Sequence, residues 1–339
     1  MHAGRQYSLL HTFFWTSKYI VIFGIWSTLV VVLYTSFELK WIALPWFPIA
    51  LVGVAVAIYL GFKNDSAYDR LWEARKIWGG VVNSSRTWGV MSRDFVTNEY
   101  ANERLSQTEL QKIHRRLIYR HIAWLYALTF QLREPKPWEH NNKQSTKSRV
   151  SFDTDPKPER YDYLKQFIST EDFVYISSKQ NRAVQLLSLQ SKDLKELKSK
   201  GLIDDLRHIE MKGLLEKFYT SQGQSERIKN FPFPRQYASV NVFFAWLFTF
   251  LLPLGIVNEF SQIAGSLIWL TVPLSVIVSW IFHTMELIGD FSENPFEGLF
   301  NDIPITSLSR TIEIDLREML DETDLPVPIK PITKFKILL

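Results

Sequence analysis

The sequence predicts an all-α integral membrane protein, with four transmembrane helices per subunit continuous with a helical cytosolic region. Three observations carry this expectation. Four apolar runs, residues 19–37, 41–62, 236–258 and 260–285, contain no Asp, Glu, Lys or Arg, and each is close to the roughly 20 residues a helix needs to cross a bilayer. The charged fraction of 22 % sits beside a hydrophobic fraction of 46 %, so the average hides a mixture of greasy runs and a long polar middle. The connections within each pair of runs are very short: Glu38, Leu39 and Lys40 join the first two, and Glu259 alone separates the last two, which forces antiparallel hairpins.

Each element follows in order. The stretch up to Lys18, with Leu9, Leu10, Phe13, Phe14 and Trp15, reads as an interfacial lead-in. Eighteen residues precede the first run and no small-residue cleavage site follows it, so it reads as a span and not as a signal peptide. Lys40 is the only Lys or Arg in the hairpin tips while Lys and Arg crowd the middle, which places the middle and both termini in the cytoplasm and the spans in the inner (plasma) membrane. Residues 1–62 then form the lead-in and first two spans, 63–235 a helical cytosolic region, 236–285 the last two spans, and 286–339 a cytosolic linker, short helix and tail.

Within the middle, helices are expected over 65–93 and 105–132, the latter with an uncharged stretch, 121–132, too short to span alone. Residues 134–160 form a polar loop broken by "EPKP" and "DPKPER". Helical periodicity returns over 180–200 and 203–220 around Gly201. "NFPFPRQ" punctuates the entry to the third span. After the fourth come a turn-rich linker, a short helix over 308–321 and the extended tail "DLPVPIKPI".

The second span carries the candidate chemistry. Val54, Ile58 and Phe62 recur at i, i+4 and i+8, a stripe of bulky apolar groups, with Gly53, Ala57 and Gly61 beside it as a small-residue stripe suited to close helix approach. The bulky stripe must face lipid, a protein core or a lumen. Around an axis of several subunits, each position would become a ring, and stacked apolar rings gate ions by expelling water. No charge lies between Lys40 and Lys63, so such a neck would select weakly by sign, and one chain offers too few spans for a wide pore, which implies a homo-oligomer. Lys63 marks the helix leaving the hydrocarbon. In the helix that follows, Tyr68, Trp72 and Trp78 interleave with Arg70, Arg75 and Arg86, while Asp69, Glu73 and Lys76 stand at pairing distance. Directly after a span, that pattern means interfacial anchoring, cation–π contacts and subunit packing, not nucleic acid.

"NDSAYDRLWEARKIWGGVVNSSRTW", "GQSERIKNFPFPRQY" before the third span and "ENPF" after the fourth together resemble the bestrophin family, most closely its prokaryotic members. The resemblance covers about residues 9–320 and is least typical in the proline-rich loop. It implies a homopentameric ion channel with a hydrophobic neck above a cytosolic vestibule, passing small monovalent ions, chloride and other anions or cations, in contact with membrane lipids. Aligning Arg70-Leu71-Trp72 on the family's Arg-Trp-Trp motif puts the neck on Val54, Ile58 and Phe62, with Tyr68, Arg70, Trp72, Glu73 and Arg75 as the signature helix. It implies a second, cytosolic constriction at Ile203. Eukaryotic relatives bind calcium after the last span. Here only Asn294, Glu297 and Asp302 remain at those positions, without the contiguous acids that a six- to eight-oxygen calcium site needs, so calcium gating is not expected.

Other chemistry finds no foothold. With zero cysteines there is no disulfide, thiolate site or cysteine nucleophile. His2, His11, His114, His121, His140, His208 and His283 form no ligand pattern, and no phosphate loop, nucleophile elbow or dinucleotide fingerprint occurs. Neither a metal, a cofactor nor an enzymatic activity is expected. His283 and Asn241, polar within apolar runs, must face protein or water. The rival classes are a secondary transporter, which would normally show inverted repeats and intramembrane charges, and a membrane-anchored scaffold.

Overall fold

The computed structural model describes residues 3–4, 9–140, 158–263, 265–331 and 337–338. These residues are helical, joined by turns and short 3₁₀ segments. In chain order the α-helices are α1 (Leu9–Thr35), α2 (Trp46–Asp94), α3 (Gln107–Leu132), α4 (Thr170–Ser177), α5 (Arg182–Ser199), α6 (Asp205–Asn230), α7 (Arg235–Ile263), α8 (Thr271–Asp290) and α9 (Ile305–Glu318). Four are long and apolar enough to cross a membrane, within 12–35, 40–94, 235–263 and 267–290. The chain divides into two compact units, one of residues 4–70 and 232–293, the other of residues 1–3, 71–231 and 294–339.

The first unit holds α1, residues 46–70 of α2, α7 and α8. Its core has two parts. Ile49, Val56 and Leu60 of α2 pack with Phe248 and Leu252 of α7, and Val30 and Val31 of α1 pack with Val257 and Ile268. Trp26 stacks on Phe250 at 4.4 Å and donates its indole N–H to the Phe250 carbonyl at 3.0 Å, satisfying the one polar atom of a large apolar ring.

The second unit is built around α3. A reciprocal capping box starts this helix: Ser106 Oγ accepts from the Glu109 N–H, and the Glu109 carboxylate accepts from the Ser106 N–H, satisfying two otherwise orphaned donors. Residues 117–129 are then buried on every side, the mark of a helix at the centre of a core. This accounts for the uncharged 121–132 stretch as core. His121, Trp124 and Phe218 cluster there with Trp88.

Several local expectations are corrected. From Leu9 on, the stretch up to Lys18 is continuous with the first span, because α1 runs unbroken from Leu9 to Thr35. The second span and the helix expected after it are one 49-residue helix, α2: the composition changes at Lys63 while helix propensity does not. Glu259 does not separate the last two spans. α7 continues to Ile263 and a 3₁₀ helix, Gly265–Leu270, leads into α8, since one glutamate is a good helix former and cannot break the helix. α4 lies in a segment not expected to be helical, started by Ser169, whose hydroxyl accepts from the Asp172 N–H. α6 extends ten residues past 220, to Asn230, and α9 ends at Glu318. Most of the 134–160 loop lies outside the described residues.

Candidate functional site

The side chains of α2 sort into two faces. The packed face runs through Ile49, Gly53, Val56, Leu60, Lys63 and Ala67, all buried. Opposite it, Val54, Ile58 and Phe62 are 60, 52 and 61 % exposed. The bulky stripe is therefore not part of the chain's own core, which removes one of the three environments the spacing left open. Leu51 extends the same apolar strip. The small-residue stripe is divided: Gly53 is buried, and a Cβ there would meet the Phe248 ring at 2.6 Å, whereas Ala57 and Gly61 are exposed and a Cβ on Gly61 would meet nothing. Close approach instead uses Gly53 and Gly255, whose Cβ would lie 2.7 Å from Ile49 Cδ1.

Directly after Phe62, Lys63 turns into the protein. It is 1 % exposed, and its Nζ donates to Glu286 Oε1 at 2.8 Å. Asn64 donates from Nδ2 to the carbonyls of Leu60 and Met285, at 3.0 and 3.1 Å. Lys63 is thus half of a buried ion pair between α2 and α8. Sequence spacing could not find it, because its partner is 223 residues away.

The signature helix continues this pattern. Arg70 Nε donates to the Glu293 carbonyl at 2.9 Å, and Arg235 pairs with the Glu293 carboxylate at 3.0 Å. Burial pushes the Glu293 carboxyl up, and Arg235 pulls part of that back. Further along, Glu73 pairs with Arg227, and the Arg75 guanidinium lies 5.8 Å from the Trp72 ring. Tyr68 and Trp72 are exposed.

Ile203 does not present itself to any surface of the chain. It is 2 % exposed, within the core of the second unit. Gly201 ends α5 with φ of +72°, a left-handed conformation that suits glycine, and Asp204 then caps α6, its carboxylate accepting from the Arg207 N–H at 2.9 Å. The exposed apolar side chains here are Leu206 and Ile209, at 77 and 64 %. The signal for them was present in "LIDDLRHI", where the aspartate cap sets the helix start.

In the segment after α8, Asn294, Glu297 and Asp302 are all buried. The Glu297 carboxylate faces His140 Nδ1 at 3.1 Å, and the Asp302 carboxylate faces Arg133 at 3.5 Å and accepts from the Gly298 N–H. Burial pushes the Asp302 carboxyl up to about 7, with Arg133 opposing. Arg133, His140 and a backbone N–H, not open carboxylate geometry, face these oxygens. Among the described residues no group of three or more acidic or histidine side chains could hold a metal ion.

A family model described as bacterial/fungal bestrophin protein matches residues 16–318. The voltage-dependent anion channel-forming protein YneE of Escherichia coli is 26 % identical over 298 residues, covering 85 % of this chain and 84 % of that protein. The voltage-dependent anion channel-forming protein RSc3414 of Ralstonia nicotianae is 27 % identical over 278 residues, covering 82 % and 78 %. A crystal structure of a bacterial bestrophin homologue from Klebsiella pneumoniae shares the fold with a TM-score of 0.73 at 24 % identity, covering 89 % of this chain and 97 % of that one.

Proposed function

The chain belongs to the bacterial and fungal bestrophin family, and from that premise we propose that it is a passive anion channel, assembled as a homopentamer with Val54, Ile58 and Phe62 ringing a hydrophobic neck. The observation that carries this reading is the exposure of those three residues on an uncharged helix face opposite the packed one. Five copies of that face around an axis would stack three apolar rings, which hold back ions by expelling water. The names of the Escherichia coli and Ralstonia relatives favour anions over cations. Exposed Tyr68 and Trp72 supply the aromatic surface for packing neighbouring copies. Leu206 takes the place of Ile203 as the apolar side chain of a second, cytosolic constriction. The spans lie in the inner (plasma) membrane with both termini cytoplasmic.

Purified protein in planar bilayers tests this directly. The wild type should conduct, with a reversal potential in asymmetric NaCl displaced toward the chloride equilibrium potential. Ile58→Ala with Phe62→Ala should raise single-channel conductance or open probability several-fold. Unchanged currents in that variant would remove these side chains from the pathway. One observation favours a coupled transporter as the second reading: Lys63 and Glu286, just past the ends of the second and fourth apolar runs, form a buried ion pair, and transporters use buried charges. A saturable, counter-ion-dependent flux would select it.

A further inference from the structure

The second unit contains a cavity of about 710 Å³ between the C-terminal end of α3, the start of α5 and the end of α6. Its size falls in the range of about 300–1,000 Å³ typical of small-molecule sites, but its walls are polar. Lys136, Lys179, Arg182 and Lys229 line it against two acids, Glu134 and Glu226.

Both acids are already engaged by neutral donors. Glu226 Oε1 accepts from Gln131 at 2.9 Å, Asn181 at 2.9 Å and Gln222 at 2.8 Å. Glu134 accepts the Tyr161 hydroxyl at 3.0 Å. Arg182, Lys179 and Lys229 are less fully matched. The Arg182 guanidinium lies 3.9 Å from the Tyr161 ring centroid, and its buried Nε has no hydrogen-bond partner. Lys179 faces an aromatic ring, that of Tyr175, at 5.0 Å. Lys229 is 5 % exposed and pairs with Glu139, yet burial still pushes its ammonium down, so further negative charge nearby would be welcome. The wall also includes the first residues of α5, an 18-residue helix, whose N-terminal dipole favours an anion.

We propose that this cavity binds a small soluble polyanion carrying phosphate or several carboxylate groups, held by Lys179, Arg182 and Lys229. A monovalent ion would leave most of the space and charge unused. A lipid is disfavoured because Leu132 and the Tyr161 ring are the only large apolar groups among the described lining residues, too few to take an acyl chain. Because Lys229 faces the cavity and also pairs with Glu139, the bound anion would compete with Glu139 for its ammonium.

The test is calorimetric titration of full-length protein in detergent with inorganic pyrophosphate and with citrate, at constant ionic strength. Saturable binding of at least one probe is expected. The Lys179→Gln/Arg182→Gln variant should weaken it about ten-fold or more, because two charged hydrogen-bond donors are lost. Lys192→Gln, on an exposed part of α5, should bind as the wild type does and controls for loss of surface charge. Absence of saturable binding by either probe, or equal affinity in the double variant with an unchanged circular dichroism spectrum, would overturn the proposal. Binding only to vesicles bearing a phosphorylated inositol lipid would overturn the soluble-ligand assignment. No ion flux enters the measurement, so its failure and failure of the channel reading are separable.

Discussion

Lys63 shows how a single residue can be legible in type and not in role. Its position after an uncharged run suggested the point where a helix meets water, yet it sits at 1 % exposure against Glu286. Hydropathy reports composition along the chain, and an ion pair closed across more than two hundred residues leaves no trace in it. Two charges removed from water are tolerated together and costly apart. Lys63→Met and Glu286→Met should therefore each lower the thermal stability of the detergent-solubilised protein markedly, by about 3–5 kcal/mol where a charge is left unpaired. The double replacement should recover most of that loss. If the two single losses simply added, the pair would not act as a unit. Ile203 shows the same limit: spacing does not tell which side chains a helix start turns inward, and with Asp204 as the cap Ile203 is buried while Leu206 is exposed.

At the level of the helix, periodicity was a good guide to which residues share a face and a poor guide to what each face meets. The i, i+4, i+8 spacing grouped Val54, Ile58 and Phe62 correctly on one side of α2, and their exposure is a property of the neighbours, which spacing does not contain. The adjacent small residues did not act as one stripe, since only Gly53 of the three lies against another helix. That contrast yields a paired prediction. Gly53→Ala would drive a methyl group to 2.6 Å from the Phe248 ring, and overpacking of this kind costs about 1–3 kcal/mol. Gly61→Ala meets nothing within 4 Å and should be neutral or stabilising by up to about 1 kcal/mol, the helix-propensity gain of alanine over glycine. Thermal melts of the two variants side by side would decide this, and equal effects would contradict the asymmetric packing.

For the molecule as a whole, the four apolar runs revealed the membrane helices, but the compact units close at 70/71, 231/232 and 293/294, several residues beyond the runs. Hydropathy changes where charges begin, whereas compactness follows side chains that bond across elements, here Lys63, Arg70, Arg235, Glu286 and Glu293. The other unit buries charge as well, and this gives the stability of the protein a pH dependence with a definite sign. Asp302 has its carboxyl raised from 3.8 to about 7, chiefly by burial. Between those values the folded chain binds more protons at this site than the unfolded chain, so its contribution to stability falls as pH rises through the window and is largest on the acid side. Asp302→Asn keeps an acceptor for the Gly298 N–H and removes the ionisable group. The melting temperature of the variant minus that of the wild type should therefore climb from about pH 4 to about pH 7 and then level off. A difference independent of pH would mean that Asp302 ionises in the folded protein as readily as in the unfolded one, with Arg133 fully offsetting its burial.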